Sequence, residues 1–478
     1  MPASVGMNVY SGADSLKTYF DPQQQPPLPL VEIPAKLNPF RKDGVRIYAK
    51  MMTALPCQNI KALPALNMIQ RAGSKAKLPI FEPSSGSTVT SLAMISRVLN
   101  DNDDVTALVS NKTEVSRLQQ LRFFGLKVQL YGGPAQPNVS DPRGEVEKAR
   151  LAGLEDPSRW NPAQYTNPAN YESHIRWTGP QLVQQLPEIN VFAAGMGSAG
   201  CLTGTAGYLK RVKPTVTALG VCNLTGDSIP GPRPYPLFHG IDFPWASVCD
   251  DVEEIPSKIS YRQSLNLSRE GLICGPSSGM ALEGLLRFIE RKKAEGTLQY
   301  LAEPSSREIS CVFLCCDLPY QYMGKYFDKL DESDFHPVTN DNLRHIDTDP
   351  YDPRWELTKA DILEMAATTE GGLRLIDLRS SADALPMHED ISPVPLPGLK
   401  ADDPSPFDNN SVLEKQWYGL GHLMKSGLLT RDVPKDVPAI LLCYNGETSR
   451  LACSMLRGRG FKAFSAKGGL GSGQVLSS

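Results

Sequence analysis

Between residues 31 and 329 the chain alternates short β-branched apolar runs with longer segments of helical period. Examples are VRIYAKMM, LPALNMIQRAG, LPIFEPSSG and TSLAMISRVLN. Strands regularly followed by helices predict an α/β unit with parallel strands. The stretch HPVTNDNLRHIDTDPYDPR has no apolar periodicity and is rich in Asp, Asn and Pro, so it predicts a linker. A second alternation follows: LTKADILEMAA as a helix, LRLIDLRS and AILLCYN as strands, and the helix SRLACSMLRGRG ending in Gly. The expected division is therefore 1–335, a linker 336–355, a smaller α/β domain 356–470, and a tail 471–478. Within the second domain PVPLPGLKADDPSPFDNN is expected to be a surface excursion.

Composition narrows the function classes. With 41% hydrophobic and 21% charged residues over 478 positions, the chain can build large cores. A formal net charge of -3 and the lack of a Lys/Arg-rich run give no basic field for a nucleic-acid partner. No apolar stretch is long enough to span a bilayer, and the first thirty residues carry one basic side chain, Lys17, and no apolar h-region. Ten Cys without a CxxC pair predict reduced thiols and a cytoplasmic location, and Cys311, Cys315 and Cys316 are expected to be strand thiols rather than metal ligands.

The first chemical signal is AAGMGSAGCLTGTAGYLKR, where Gly195, Gly197, Gly200 and Gly204 punctuate a turn after the apolar run INVFAA. Free amides at a helix start, together with the helix dipole, suit a phosphate. Four further segments in fixed order carry a resemblance: RIYAKMMTALPCQNIKALPALNMI, EPSSGSTVTSLA, QYTNPANYESHIRWTGP and EGLICGPSSGMA. Residues 25–330 resemble the cysteine synthase/cystathionine β-synthase family, two-lobed fold type II enzymes of the tryptophan synthase β-like class that use pyridoxal 5'-phosphate.

The resemblance implies roles. Lys61 would hold the cofactor as a Schiff base and then remove the α-proton of the substrate. Lys42 imitates the family lysine superficially and Lys50 flanks the strand, but only Lys61 keeps the expected distance to the Ser-rich loop. Gly197, Ser198, Ala199, Gly200 and Cys201 would wrap the phosphate. Ser277 would meet the pyridine nitrogen, with Ser278 as the alternate. Ser84, Ser85, Gly86 and Thr88 would take the substrate carboxylate with Gln164, and Ser87 would stand where the family Asn meets the cofactor. Ser87, Val89, Ala62 and Leu63 all depart from the family pattern, which bears on substrate choice more than on fold.

Residues 356–470 resemble a rhodanese domain, with LLCYNGETS as its active loop and Cys443 at the catalytic position. Amides from Tyr444 to Ser449, with Arg450 nearby, would stabilise a thiolate or persulfide there. Together the resemblances imply β-substitution on an activated serine of the O-acetylserine type, through an aminoacrylate, to give cysteine or a related amino acid. They also imply small-molecule amino-acid substrates, a homodimer and possible sulfurtransferase activity. Two alternatives stand beside this: the same chemistry with an amine nucleophile in specialised metabolism, and a non-catalytic sulfur-sensing or scaffold protein.

Overall fold

The structure is a computed structural model that describes residues 8–84, 86–134, 138–139, 141–304, 306–346, 352–431 and 433–471. The chain divides into two compact units, Met1–Phe335 and His336–Ser478. The first unit holds two sheets. The larger runs in the order Leu30–Glu32, Val45–Met51, Ile309–Cys315, Ile189–Gly195, Thr217–Asn223 and Asp251–Ile255. Its first pair is antiparallel and every later pair is parallel. The smaller sheet aligns Ile80–Pro83, Val105–Ser110 and Lys127–Tyr131, all parallel.

Parallel strands covered on both faces read as unbroken apolar runs rather than alternating ones. All seven residues of Ile309–Cys315 are buried, which puts Cys311 and Cys315 in the core. Helices Ala62–Ala72 and Ser87–Asn100 pack in one apolar core with Ile80 and Val105 of the smaller sheet, while helix Pro276–Ala294 packs in another with Val191, Leu219 and Phe313. This arrangement sends the C-terminal ends of strands from both sheets toward shared loops, the usual place for a ligand in open α/β folds.

The second unit is a five-stranded parallel sheet in the order Glu356–Leu357, Ala463–Ala466, Ala439–Leu442, Arg374–Asp377 and Ile391–Pro393. Here one expectation fails. The segment after Ile391 is not wholly a surface excursion, because Val394, Leu396 and Leu399 are buried in the core of this unit. Val394 N–H donates to Asp377 O (2.8 Å) and Leu396 N–H to Leu378 O (3.0 Å), so the segment runs beside the sheet. Prolines alternate with those apolar residues, and a sheet edge tolerates them because their missing N–H faces outward. Among the described residues, no helix is long and apolar enough to cross a membrane.

Candidate active site

Separate segments of the first unit meet around a cavity of about 640 Å³. Lys61 arrives on the turn before helix Ala62–Ala72, where its N–H donates to Asn59 Oδ1 (2.9 Å). The same Asn59 oxygen accepts the Ser91 hydroxyl (3.1 Å), which ties the lysine turn to helix Ser87–Asn100. Lys61 lines the cavity, whereas neither rival does. Lys42 sits exposed on a short 3-10 turn. Lys50 is fully buried in its strand, its ammonium donating to Leu28 O (2.8 Å), Gln181 Oε1 (2.9 Å) and Gln185 Oε1 (2.6 Å). With only neutral acceptors, burial pulls its pKa down to about 7.

Ser84, Gly86, Ser87 and Thr88 form the next wall, and Ser85 lies outside the described residues. Thr88 Oγ1 donates to Gln164 Oε1 (2.8 Å), and Gln164 Nε2 donates to Glu82 Oε1 (3.0 Å). Glu82 Oε2 also accepts Asn161 Nδ2 (3.2 Å) and the Ala163 N–H (3.2 Å). Burial nevertheless outweighs these donors and pushes the Glu82 carboxyl up to about 7. The chain Glu82–Gln164–Thr88 fixes which way the Gln164 amide faces.

The Gly-rich turn joins strand Ile189–Gly195 to helix Gly200–Val212, with Ala199 in the left-handed region at φ 61°. Gly197, Ser198 and Cys201 line the cavity, while Ala199 and Gly200 shape the turn without lining it. A Cβ on Gly197 would come within 2.7 Å of Gly231 O, and one on Gly200 would overlap Asn170 Oδ1. Asn170 Nδ2 in turn donates to Ser198 Oγ (3.1 Å). Burial pushes the Cys201 thiol up to about 12, so it stays protonated.

Ser277 and Ser278, adjacent at the start of helix Pro276–Ala294, have different fates. Ser277 lines the cavity, whereas Ser278 Oγ accepts the Cys316 N–H (2.9 Å) and is buried away from it. Sequence reasoning missed the wall that follows strand Ile309–Cys315, made by Cys316, Asp317, Gln321 and Tyr322, with Arg117 from helix Val115–Phe123. Asp317 Oδ2 accepts Tyr322 Oη (2.6 Å) and Gln321 Nε2 (2.8 Å). Burial pushes its carboxyl up to about 6 and holds the Arg117 guanidinium below its usual value. The available signal was a single carboxylate closing the run SCVFLCCDL.

In the second unit Cys443 follows strand Ala439–Leu442 and precedes helix Glu447–Arg457. Its Sγ accepts N–H groups from Gly446 (3.1 Å) and Ser449 (3.2 Å), and the Ser449 hydroxyl is 3.2 Å away. Not every amide of the loop turns inward, since Glu447 N–H donates to Asn445 Oδ1 (3.0 Å). Arg450 is directed elsewhere, paired with Glu447 (3.1 Å) and Glu356 (3.7 Å) and placed over the Phe407 ring. Cys443 is fully buried, and Leu470 N–H donates to its carbonyl (2.8 Å).

Comparison with known proteins follows the same geography. A family model described as pyridoxal-phosphate dependent enzyme matches residues 23–300. Cysteine synthase B of Escherichia coli is 28% identical over 291 residues, covering 59% of this chain and 91% of that protein. The N-(2-amino-2-carboxyethyl)-L-glutamate synthase of Ralstonia nicotianae is 26% identical over 314 residues, covering 63% and 87%. Among solved structures, a hydrogen sulfide-producing enzyme from Fusobacterium nucleatum matches 62% of this chain and 96% of its own, with a TM-score of 0.52 at 23% identity. That last likeness bears on the fold of the first unit.

Proposed function

Because this chain belongs to the pyridoxal-phosphate dependent enzyme family, we propose that it catalyses β-substitution on an activated serine of the O-acetylserine type, giving cysteine or a related amino acid. The cofactor is pyridoxal 5'-phosphate. One observation carries the reading: Lys61, Thr88, Gln164, Gly197 and Ser277, drawn from separate segments, line one cavity.

The residues fit the cofactor. The first-turn amides of helix Gly200–Val212 stand at the Gly-rich turn, and a side chain at Gly197 would collide with Gly231 O, so the turn stays open only with glycine there. Gly197, Ser198 and Cys201 would meet the phosphate, with Ala199 and Gly200 setting the turn. Lys61 would hold the cofactor covalently through Nζ. Pyridoxal phosphate, when bound, supplies an electron sink for the negative charge that develops at Cα.

The chain's own groups do the rest. Ser84, Gly86 and Thr88 would bind the substrate carboxylate, with Gln164 held in register by Glu82. Ser277 would donate a hydrogen bond to the pyridine nitrogen without giving it a full proton, which suits elimination over transamination. Ser87 is shorter than an amide and reaches less far. Lys61 would also take the proton from Cα, so that the leaving group can depart from Cβ. Borohydride reduction followed by peptide mapping tests the assignment: the pyridoxyl label should fall on Lys61, and a label on Lys42 or Lys50 would refute it.

For the second unit the reading is a rhodanese-like sulfur carrier. The Gly446 and Ser449 amides directed at Cys443 Sγ support it, since they offer N–H donors to a sulfur held in the loop. Incubation with thiosulfate should add one sulfur to Cys443 in the intact-protein mass, and its absence would make this unit a binding module. The homodimer and the cytoplasmic location belong to the same proposal, and light scattering of the purified protein tests the first.

A further inference from the structure

The Gln164 amide faces the wrong way for an anion. Its Nε2 donates to Glu82 Oε1 (3.0 Å) and to Pro83 O (3.4 Å), while its Oε1 accepts the Thr88 hydroxyl (2.8 Å). Both amide hydrogens and the hydroxyl hydrogen are therefore engaged within the wall, and what Gln164 and Thr88 leave for the cavity is lone pairs. A substrate carboxylate needs donors there. Glu82 sets the orientation, because an ionised carboxylate only accepts and so turns the amide nitrogen toward itself.

Glu82 is fully buried, and every group hydrogen-bonded to it among the described residues is neutral. Asn161 Nδ2 and the Ala163 N–H donate to its Oε2 (both 3.2 Å), which leaves Oε1 as the oxygen that can carry a proton toward Gln164. Its neighbour across the sheet is Ala107. Helix Glu145–Glu155 and Arg159 meet the strand at Phe81, whose side chain points to the opposite face. Lys61 and Arg117 line the cavity, and among the described residues neither bonds to Glu82.

We propose that Glu82 is a positioning residue that takes up a proton when the substrate carboxylate binds, because the Gln164 amide turns over to meet that carboxylate. The turned Nε2 donates to Thr88 Oγ1 and to the ligand, which frees the Thr88 hydroxyl hydrogen for the same ligand. Gln164 Oε1 then faces Glu82 Oε1, two acceptors that repel unless a proton lies between them. The proton comes from solvent, one O–H bond forms on Glu82, and no other covalent bond changes. Burial has already pushed this carboxyl up to about 7, so the uptake costs little near neutral pH. Above about pH 7 the ionised form dominates, and each further pH unit weakens carboxylate binding by up to about tenfold; below it the dependence vanishes. The inference rests on the β-substitution reading above, with Gln164 and Thr88 at the substrate carboxylate.

The test uses the full-length holoenzyme and L-serine, which has the carboxylate and amine of the substrate but no ester. Its Kd is read from the cofactor absorbance from about pH 6 to about pH 9, in the wild type and in Glu82→Gln, whose side chain can donate to Gln164 Oε1 without titrating. The serine amine and Lys61 titrate in both proteins, so the ratio of wild-type to variant Kd isolates Glu82. The expected ratio is level below about pH 6.5 and climbs toward about tenfold per pH unit above about pH 7.5. Titration calorimetry in two buffers at about pH 8 should count up to about one proton more taken up by the wild type than by the variant. Gln164→Met keeps the length of the side chain and loses the amide; its ratio should rise in the same way, which keeps the test decisive if Glu82→Gln does not fold. A Glu82 that only supports the fold would shift the variant Kd equally at every pH. A ratio that stays level across the range, or equal proton counts, would overturn the inference while the β-substitution reading stands. No absorbance response to either L-serine or O-acetylserine would sink that reading, and this inference with it.

Discussion

The two units concentrate chemistry in opposite ways. In the first, groups from residues 61 to 329 converge on one cavity, so function depends on the tertiary fold. In the second, Gly446 and Ser449 deliver their amides to Cys443 within seven residues. A dispersed site can host a large substrate and be retuned at many positions. A local loop can carry little more than one atom of cargo, and it survives or fails as a piece.

That contrast can be broken by substitution. Lys61→Ala should have the largest effect, lowering β-substitution by roughly 10³-fold or more, because in the proposed mechanism one amine both anchors the cofactor and moves the proton. Steady-state rates with O-acetylserine and sulfide check this, and retention of sulfur loading on Cys443 would show that the units act separately. Cys443→Ser should abolish the mass gain from thiosulfate, and the same variant should keep the cofactor absorbance of the first unit.

Gly200→Ala sharpens the comparison from the dispersed side. The added methyl would overlap Asn170 Oδ1, and Asn170 Nδ2 holds both Gln164 O (2.6 Å) and Ser198 Oγ (3.1 Å). One methyl should therefore disturb two walls, weakening cofactor retention and costing about 1–3 kcal/mol of stability in denaturant unfolding.

The smallest expected effect concerns Lys50. Its folded pKa of about 7 lies below its ordinary value, so the unfolded chain binds more protons above pH 7 and stability should rise with pH through this group. Below about pH 7 the full cost of burying the charge applies. Subtracting the unfolding free energy of Lys50→Met from that of the wild type between pH 7 and 8.5 should isolate a positive slope. A flat difference would mean that the ammonium is better solvated than its three neutral partners suggest.

The sequence was most readable where structure is local. INVFAAG and SCVFLC announce strands buried on both faces, and the glycines after residue 195 announce the turn. Lys61 could be preferred over Lys42 because the strand before it and the loop after it are both visible in sequence. Arg117 and Asp317 could not be paired, since 200 positions separate them and only the packing of helix Val115–Phe123 near the end of strand Ile309–Cys315 brings them to one wall. The core residues Val394, Leu396 and Leu399 escaped for another reason: prolines between them hid a strand-like alternation. Arg450 looked like a partner for the thiol because it is near in sequence, but Glu447 and Glu356 claim it.

Gly275 donates its N–H to the carbonyl of Asp317 (2.7 Å), and a Cβ on it would overlap Asp317 Oδ1. A side chain at 275 and the present carboxylate rotamer at 317 therefore exclude each other. Any side chain at 275 would have to swing the Asp317 carboxylate out of its present position, so the glycine is what lets the acid keep this orientation.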